Sequence, residues 1–535
     1  MIHTPTTRAA STTRWSLLLL PLALARLPSL AEPVGNDQYL YLYVADRLLE
    51  GGVPYLDAWD QKPPAVYFIY ALLRAIWPHA WVVAMADLAA AGLTAWALVR
   101  LGGRTFGSGV GVGAAVLLLL FGHPSLARLS GVYVRGQCEV FIASAIAVAL
   151  LLLARPERTR WRCGAAGVAF GAAVWLKYNA LAYALPVFLA GWLLPENRAT
   201  QNRRTDLVWI GGGFLLVTGV VVTYFQLHGA LVDLRLATID YNLQYSGETY
   251  TSGLLGALSY SLALPFQRAR VDMLWYLGGL GALALALTVR LNRAISVITL
   301  AWLVAVMISI AVNGSRGLPQ YFVQAGPALA FAAAAGLSSL WGRGTVARVV
   351  VSLLVVMGVW KVGVETPSFA GLRWGGMPQL VDNLAFDVQY MTGEVDRTQF
   401  LERFKGEQKY DALAVLDLAQ RIQDTTEPQD RIFVFGFAPG VYVESGRRSA
   451  SRFFWSRPVI LEFAANRPGY GSRAMLRDLR AGAPAVVALQ KRDWDPDVTN
   501  SRTFFEQTDA LWSWLVQHYV LEQDTAMFSV WRRRS

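Results

Sequence analysis

The residues best suited to chemistry lie in one stretch near the N-terminus. It reads Asn36-Asp37-Gln38-Tyr39, then Ala45-Asp46-Arg47-Leu48-Leu49, then Gly52-Val53-Pro54-Tyr55-Leu56-Asp57-Ala58-Trp59-Asp60-Gln61-Lys62-Pro63-Pro64. A carboxylate such as Asp37 can take the proton of an attacking hydroxyl, and a cation such as Lys62 can hold a departing phosphate. Pro63 and Pro64 restrict the backbone beside Lys62. A loop acid is ordinarily just solvated. Here Tyr39, Tyr43 and Asp46 share a helix-compatible run with Asp37, and Lys62 follows in the same loop. Asp57 and Asp60 leave a divalent ion open.

Three later segments carry further charge. Ser130-Gly131-Val132-Tyr133-Val134-Arg135-Gly136-Gln137-Cys138-Glu139 ends with an acid opening an apolar run. A charge there is functional or paired, and Arg135 is its nearest partner in sequence. Lys177 stands between two apolar runs with no acid close by, as a snorkelling lysine would or as a cation for an anionic headgroup. Asn313-Gly314-Ser315-Arg316-Gly317-Leu318-Pro319-Gln320-Tyr321-Phe322-Val323-Gln324 is polar and aromatic. The glycines of Phe435-Gly436-Phe437-Ala438-Pro439-Gly440 form no Gly-x-Gly-x-x-Gly or Walker pattern, so turn glycines are the reading there.

The elements that must position these groups are membrane helices. The chain has 535 residues, 54% hydrophobic and only 16% charged, and its mean hydropathy is +0.36. Apolar runs of about 18–22 residues recur, enough to cross a hydrocarbon core as helices. Eleven spans are expected, near 15–31, 79–99, 108–123, 137–154, 163–177, 180–195, 207–227, 271–289, 294–312, 320–341 and 346–363. The run 163–195 is too long for one span and divides at Lys177-Tyr178-Asn179. The shorter run 63–77 is expected along the interface.

Arginines fall in alternate short loops: Arg100 and Arg104; Arg155, Arg158, Arg160 and Arg162; Arg198, Arg203 and Arg204; Arg290 and Arg293; Arg343 and Arg348. By the positive-inside rule these loops are cytoplasmic. The net charge of +11 is therefore mostly a topology signal, and no basic face points to nucleic acid. The N-terminus is then cytoplasmic and the C-terminal region outside. Cys138 and Cys163 fall near opposite faces, so no disulfide framework is expected.

Two domains follow: a transmembrane part over 1–365, with its first external loop at 32–78, and an extracytoplasmic α/β part over 366–535. In the latter, 409–423, 471–481 and 504–518 have helical spacing, while 431–436, 485–489, 519–524 and 527–532 read as short strands. The external loop 228–270 holds Tyr241, Tyr245, Tyr250 and Tyr260, suited either to the interface or to a cavity wall.

The first loop resembles that of the lipid-linked-sugar glycosyltransferases of the GT-C superfamily, in the protein O-mannosyltransferase and aminoarabinose-transferase branch. Asp37-Gln38 stands at the family's Asp-Glu pair, Gly52-Val53-Pro54-Tyr55 at its Gly-x-x-Pro-Tyr stretch, and Lys62-Pro63-Pro64 at its Lys-Pro-Pro element. The resemblance implies that Asp37 is the base and that Lys62, with Arg316, holds the donor phosphate. It implies a second acid at Glu139, where either Glu139 orients the acceptor or Arg135 binds phosphate. Gln38, Tyr55, Asp60, Gln61, Lys177, Gln320 and Tyr321 are implied around the cavity. Gln61 replaces an acid before Lys-Pro-Pro, which weakens the case for a metal, and Gln320 replaces a common His.

The implied reaction moves a sugar from a polyprenyl-phosphate donor to an extracytoplasmic protein, lipid or glycan, with inversion and without a nucleotide sugar. The implied location is the inner or plasma membrane, with lipid as solvent and partner. Two other classes fit parts of the sequence: a transporter or flippase for a lipid-linked or anionic solute, and a scaffold that has lost activity.

Overall fold

The structure, a computed structural model, describes residues 19–127, 130–155, 158–194, 203–247, 253–289, 293–314, 317–360, 377–405, 410–494 and 499–534. The chain divides into two compact units. One comprises Met1–Glu32, Ala84–Thr223 and Gln244–Met391; the other comprises Pro33–Val83, Tyr224–Leu243 and Thr392–Ser535. Residues 33–83, which carry the candidate loop, thus group with the C-terminal region.

The first unit is helical. Among the described residues four helices are long and apolar enough to cross a membrane: Val82–Thr105, Arg203–Leu227, Arg293–Val312 and Pro319–Trp341. Leu255–Ala269 and Met273–Thr288 pass the same test together, bent by 111° at the break between them. Six apolar helices of 10–17 residues are shorter, among them Cys138–Leu153 and Tyr178–Leu193. This is a multi-pass membrane protein.

The expected division at Lys177 is present. The helix Arg160–Leu176 stops there, and Lys177 is extended at φ −163° and ψ 126°. The expected loop 228–270 is instead largely helical, with Leu231–Arg235, Tyr241–Gly247 and Gly253–Ala269. Its polar residues and Pro265 lower the hydropathy without breaking the helix.

Small residues let these helices touch. A Cβ on Gly281 would lie 2.2 Å from the Ala332 carbonyl oxygen, and one on Gly336 would lie 2.0 Å from that of Gly281. Such close approach is a main source of helix association in lipid. Arg158, one of the loop arginines of the positive-inside pattern, is fully buried. It pairs with Asp206 at 3.1 Å and donates to the carbonyls of Ala190 and Gly191. It thereby satisfies carbonyls at the end of the helix Ala184–Leu193, which otherwise have no partner within it.

The second unit is built on a five-stranded sheet. Its strands are β1 (Arg431–Phe435), β2 (Arg448–Ser449), β3 (Val486–Gln490), β4 (Tyr519–Asp524) and β5 (Phe528–Arg533), in the order β2-β1-β3-β5-β4. β1 runs parallel to β2 and β3, and β5 is antiparallel to both β3 and β4. Every residue of β3 is buried, as a central strand covered on both faces requires. β4 is an edge and carries exposed Glu522 and Asp524. The helix Asn36–Leu49 packs on Ala65–Ile76 through Tyr41, whose ring lies 5.4 Å from Tyr70 and 6.3 Å from Tyr67.

Candidate active site

Asp37 lies in the first turn of the helix Asn36–Leu49, two residues after Gly35 at its N-cap. Its side chain is half-buried, and Gln38 beside it is buried. Tyr39, Tyr43 and Asp46 follow on this helix, but each is engaged elsewhere. Tyr39 donates to Glu444 at 2.7 Å, the Tyr43 hydroxyl accepts from the Ser449 N–H at 2.9 Å, and Asp46 pairs with Arg74 at 2.8 Å.

The chain then turns sharply. A Cβ on Gly52 would come within 2.9 Å of the Arg47 carbonyl oxygen, so the glycine permits a close backbone approach. Asp57 accepts from the Val53 N–H at 2.7 Å, and the Tyr55 N–H donates to the Ala58 carbonyl at 2.8 Å. Tyr55 sits at φ +71°, a conformation that costs a side-chain-bearing residue on the order of 1–3 kcal/mol. It is fully buried, and its hydroxyl donates to the Lys62 carbonyl at 2.8 Å. The Gly52-Val53-Pro54-Tyr55 stretch thus brings a tyrosine back onto the residue seven positions on.

From Trp59 to Lys62 every residue is tied. The Trp59 N–H donates to the Arg452 carbonyl at 2.9 Å, and the Trp59 carbonyl accepts from Trp455 Nε1 at 2.9 Å. Asp60 accepts from the Tyr67 hydroxyl at 2.7 Å. The Gln61 carbonyl accepts from Asn242 Nδ2 at 2.7 Å. The Tyr67 hydroxyl also lies 3.3 Å from the Lys62 carbonyl. Bonds of this kind stabilise by about 0.5–1.5 kcal/mol each, and more is lost when a buried partner is left unmatched.

Asp60 is completely buried. Burial pushes its carboxyl above the ordinary range, Lys62 and Tyr67 pull it down, and the charge of Asp37 pushes it up again. Asp37, Asp60 and Lys62 therefore lie within Coulomb range of one another, an acid–acid–cation group with one carboxylate sealed by a tyrosine. Lys62 and Gln61 are half-buried. As to a divalent ion, Asp57 is spent on its own turn and Gln61 stands in place of an acid. Among the described residues no group of three His, Cys, Asp or Glu side chains could hold a metal.

The first unit holds the other candidates. Glu139 is buried in the first turn of the helix Cys138–Leu153. Its partner is Lys177, at 2.7 Å, and not Arg135. Arg135 is bound to Glu32, which also accepts from the Gly131 N–H at 2.9 Å. Lys177 Nζ lies 4.4 Å from the centre of the Tyr321 ring, so three candidates from separate segments meet. Nearby, Tyr183 and Ser309 donate to Gln324 at 3.0 and 2.7 Å. Gln320 is half-buried. Arg316 lies outside the described residues.

Sequence reasoning missed Tyr67, Asn242, Arg452 and Trp455, whose only advance signal is their polar-aromatic type. It also missed a mostly apolar pocket in the first unit, with Arg26, Asp87, His123 and Asp272 among its lining.

Residues 61–225 match the family model described as dolichyl-phosphate-mannose-protein mannosyltransferase. That span contains Lys62, Glu139 and Lys177 but not Asp37. No curated protein matches the chain. Among solved structures, ArnT from Cupriavidus metallidurans bound to undecaprenyl phosphate is similar, with 15% identity and a TM-score of 0.59 over 97% of this chain and 98% of that one. Its apo form matches equally. Archaeal oligosaccharyltransferase AglB from Archaeoglobus fulgidus is 13% identical over 97% of this chain and 74% of that one, with a TM-score of 0.44. Residues 61–225 thus resemble the mannosyltransferase family, and nearly the whole chain shares the fold of ArnT.

Proposed function

We propose that this protein is a membrane glycosyltransferase that uses a polyprenyl-phosphate-linked sugar. Asp37 takes the proton of an acceptor hydroxyl as its oxygen attacks the anomeric carbon. The bond from that carbon to the phosphate oxygen breaks on the opposite side, with inversion, and the polyprenyl phosphate leaves as an anion beside Lys62. The observation that carries this reading is the gathering of Asp37 and Lys62 around buried Asp60 in one unit. Lys62 lies close enough to Asp60 for its charge to pull that buried carboxyl down, so the cation sits in the same electrostatic group as the two acids. Support for a lipid phosphate comes from the similar ArnT structure, which holds undecaprenyl phosphate.

The remaining roles are assigned within the same reading. Glu139 is the second acid, presented by Lys177, while Arg135 is already neutralised by Glu32 and is given no phosphate. The chain crosses the inner or plasma membrane eleven times, with the N-terminus inside and the α/β region outside. The bent pair Leu255–Ala269 and Met273–Thr288 is the feature that favours the alternative, a transporter for a lipid-linked solute.

The test is mass spectrometry of cell-envelope glycans and polyprenyl-phosphate sugars, in cells carrying wild type, Asp37→Asn or no protein. A glycosyltransferase leaves donor accumulated and one glycan lost in the last two cases. Unchanged glycans in all three would sink the proposal. Loss of a glycan without the protein but full activity in Asp37→Asn would remove the base and favour the transporter.

A further inference from the structure

We propose that Trp455 and Arg452, in the C-terminal region, are positioning residues for Lys62. The inference rests on the donor-phosphate role given to Lys62 above. It follows from where their bonds fall. The Trp59 peptide is held at both of its polar groups by one distant segment: its N–H donates to the Arg452 carbonyl and its carbonyl accepts from Trp455 Nε1, each at 2.9 Å. Trp455 lies 396 positions further along the chain. The Trp59 ring is fully buried, with Tyr241 at 5.1 Å and Phe453 and Trp455 both at 6.1 Å. The residue three before Lys62 therefore cannot shift unless the 452–455 segment shifts with it.

Arg452 supplies a second route. Its guanidinium lies 3.2 Å from Asp233, donates to the Gly469 carbonyl at 2.6 Å and sits 4.4 Å from the centre of the Tyr470 ring. The Tyr470 hydroxyl donates to the same Asp233 oxygen at 2.7 Å. So fixed, the guanidinium also reaches the Tyr55 carbonyl at 3.4 Å, and the Tyr55 hydroxyl donates to the Lys62 carbonyl. Both routes end on main-chain atoms at or just before Lys62. A contact that served stability alone would have no reason to converge there. Misplacing a charged group by an ångström is enough to lose much of its interaction with a phosphate.

The experiment uses purified full-length protein in detergent and undecaprenyl phosphate as the probe. Trp455→Phe keeps the ring and removes only the N–H donor. It should weaken binding of the lipid phosphate about five- to tenfold, as expected for one lost hydrogen bond with a buried carbonyl left unmatched. The loss should vanish in the Lys62→Ala background, because the two changes then act through one group. Trp512→Phe, a like change in the same region, should leave binding unchanged. Acetylation of Lys62, followed by mass spectrometry, should also quicken in Trp455→Phe and not in Trp512→Phe. An unchanged labelling rate, or a binding loss that persists in full without Lys62, overturns the inference. If Lys62→Ala alone binds the lipid phosphate as wild type does, the donor role of Lys62 fails; the labelling result then decides the positioning by itself.

Discussion

The pair Glu139–Lys177 permits a prediction with a direction built in. The Glu139 side chain is 1% exposed and that of Lys177 is 13%. Lys177→Met leaves a buried carboxylate with no counter-charge, which costs about 3–5 kcal/mol. Glu139→Gln leaves the lysine with its Tyr321 ring, 4.4 Å away, and with an amide to bond. It should cost less, about 2 kcal/mol, because a partly exposed ammonium can reach water. The double variant Glu139→Gln with Lys177→Met removes both charges and should recover most of the loss, since a neutral pair has no ion to desolvate. The assay is the unfolding midpoint of the detergent-purified chain for the four proteins. A Lys177→Met variant as stable as wild type, or costs that simply add, would refute this account of Glu139. The double variant then serves a second purpose: folded but inactive, it assigns the Glu139–Lys177 pair to the chemistry; folded and active, it makes the pair purely structural.

The other predictions concern the first loop, the C-terminal region and the topology. Asp37→Asn should transfer sugar at least about a hundredfold more slowly while still binding donor; Asp46→Asn and Asp57→Asn should matter far less, and a dead Asp57→Asn with an active Asp37→Asn would show the base misassigned. Lys62→Ala should raise the donor KM and Lys62→Arg should restore part of it; an unchanged KM takes Lys62 out of the phosphate site. Burial raises the Asp493 carboxyl to about 6 despite bonds from Ser501 and Ser456. The folded state holds that proton more tightly than the unfolded state, so stability should be full below about pH 4 and fall by about 3 kcal/mol as pH rises through 6. Asp493→Asn should flatten the unfolding midpoint across that window, and an equally steep profile in the variant would exclude Asp493 as its source. A reporter fused after residue 365 should be active outside the cytoplasm and one near residue 200 inside; the same side for both would contradict the eleven-span topology.

Much of the scaffold is written in local pattern. Apolar runs long enough to cross a bilayer reveal a membrane protein because lipid leaves the backbone no partner but itself. The break at Lys177 is legible because a charge and two polar neighbours interrupt one apolar run. The strands β1, β3, β4 and β5 show as short apolar or alternating runs, since side-chain period follows backbone geometry over a few residues. The first-loop motif shows by residue type and spacing, and the two short-range devices it encodes, the Gly52 turn and the Tyr55 return onto Lys62, act within ten residues.

What the sequence by itself could not determine is which charge meets which. Arg135 looked like the partner of Glu139 because it is four positions away, yet it bonds Glu32 across 103 positions, while Lys177 reaches Glu139 across 38. Arg158 reads in sequence only as one of several loop arginines, and its burial against Asp206 is decided by the fold. The long contact from Trp455 to Trp59 leaves no local trace at either end. Local sequence sets the periodicity of an element and the means to turn it. Buried polar groups must then find partners wherever packing brings them, and only the tertiary structure decides that.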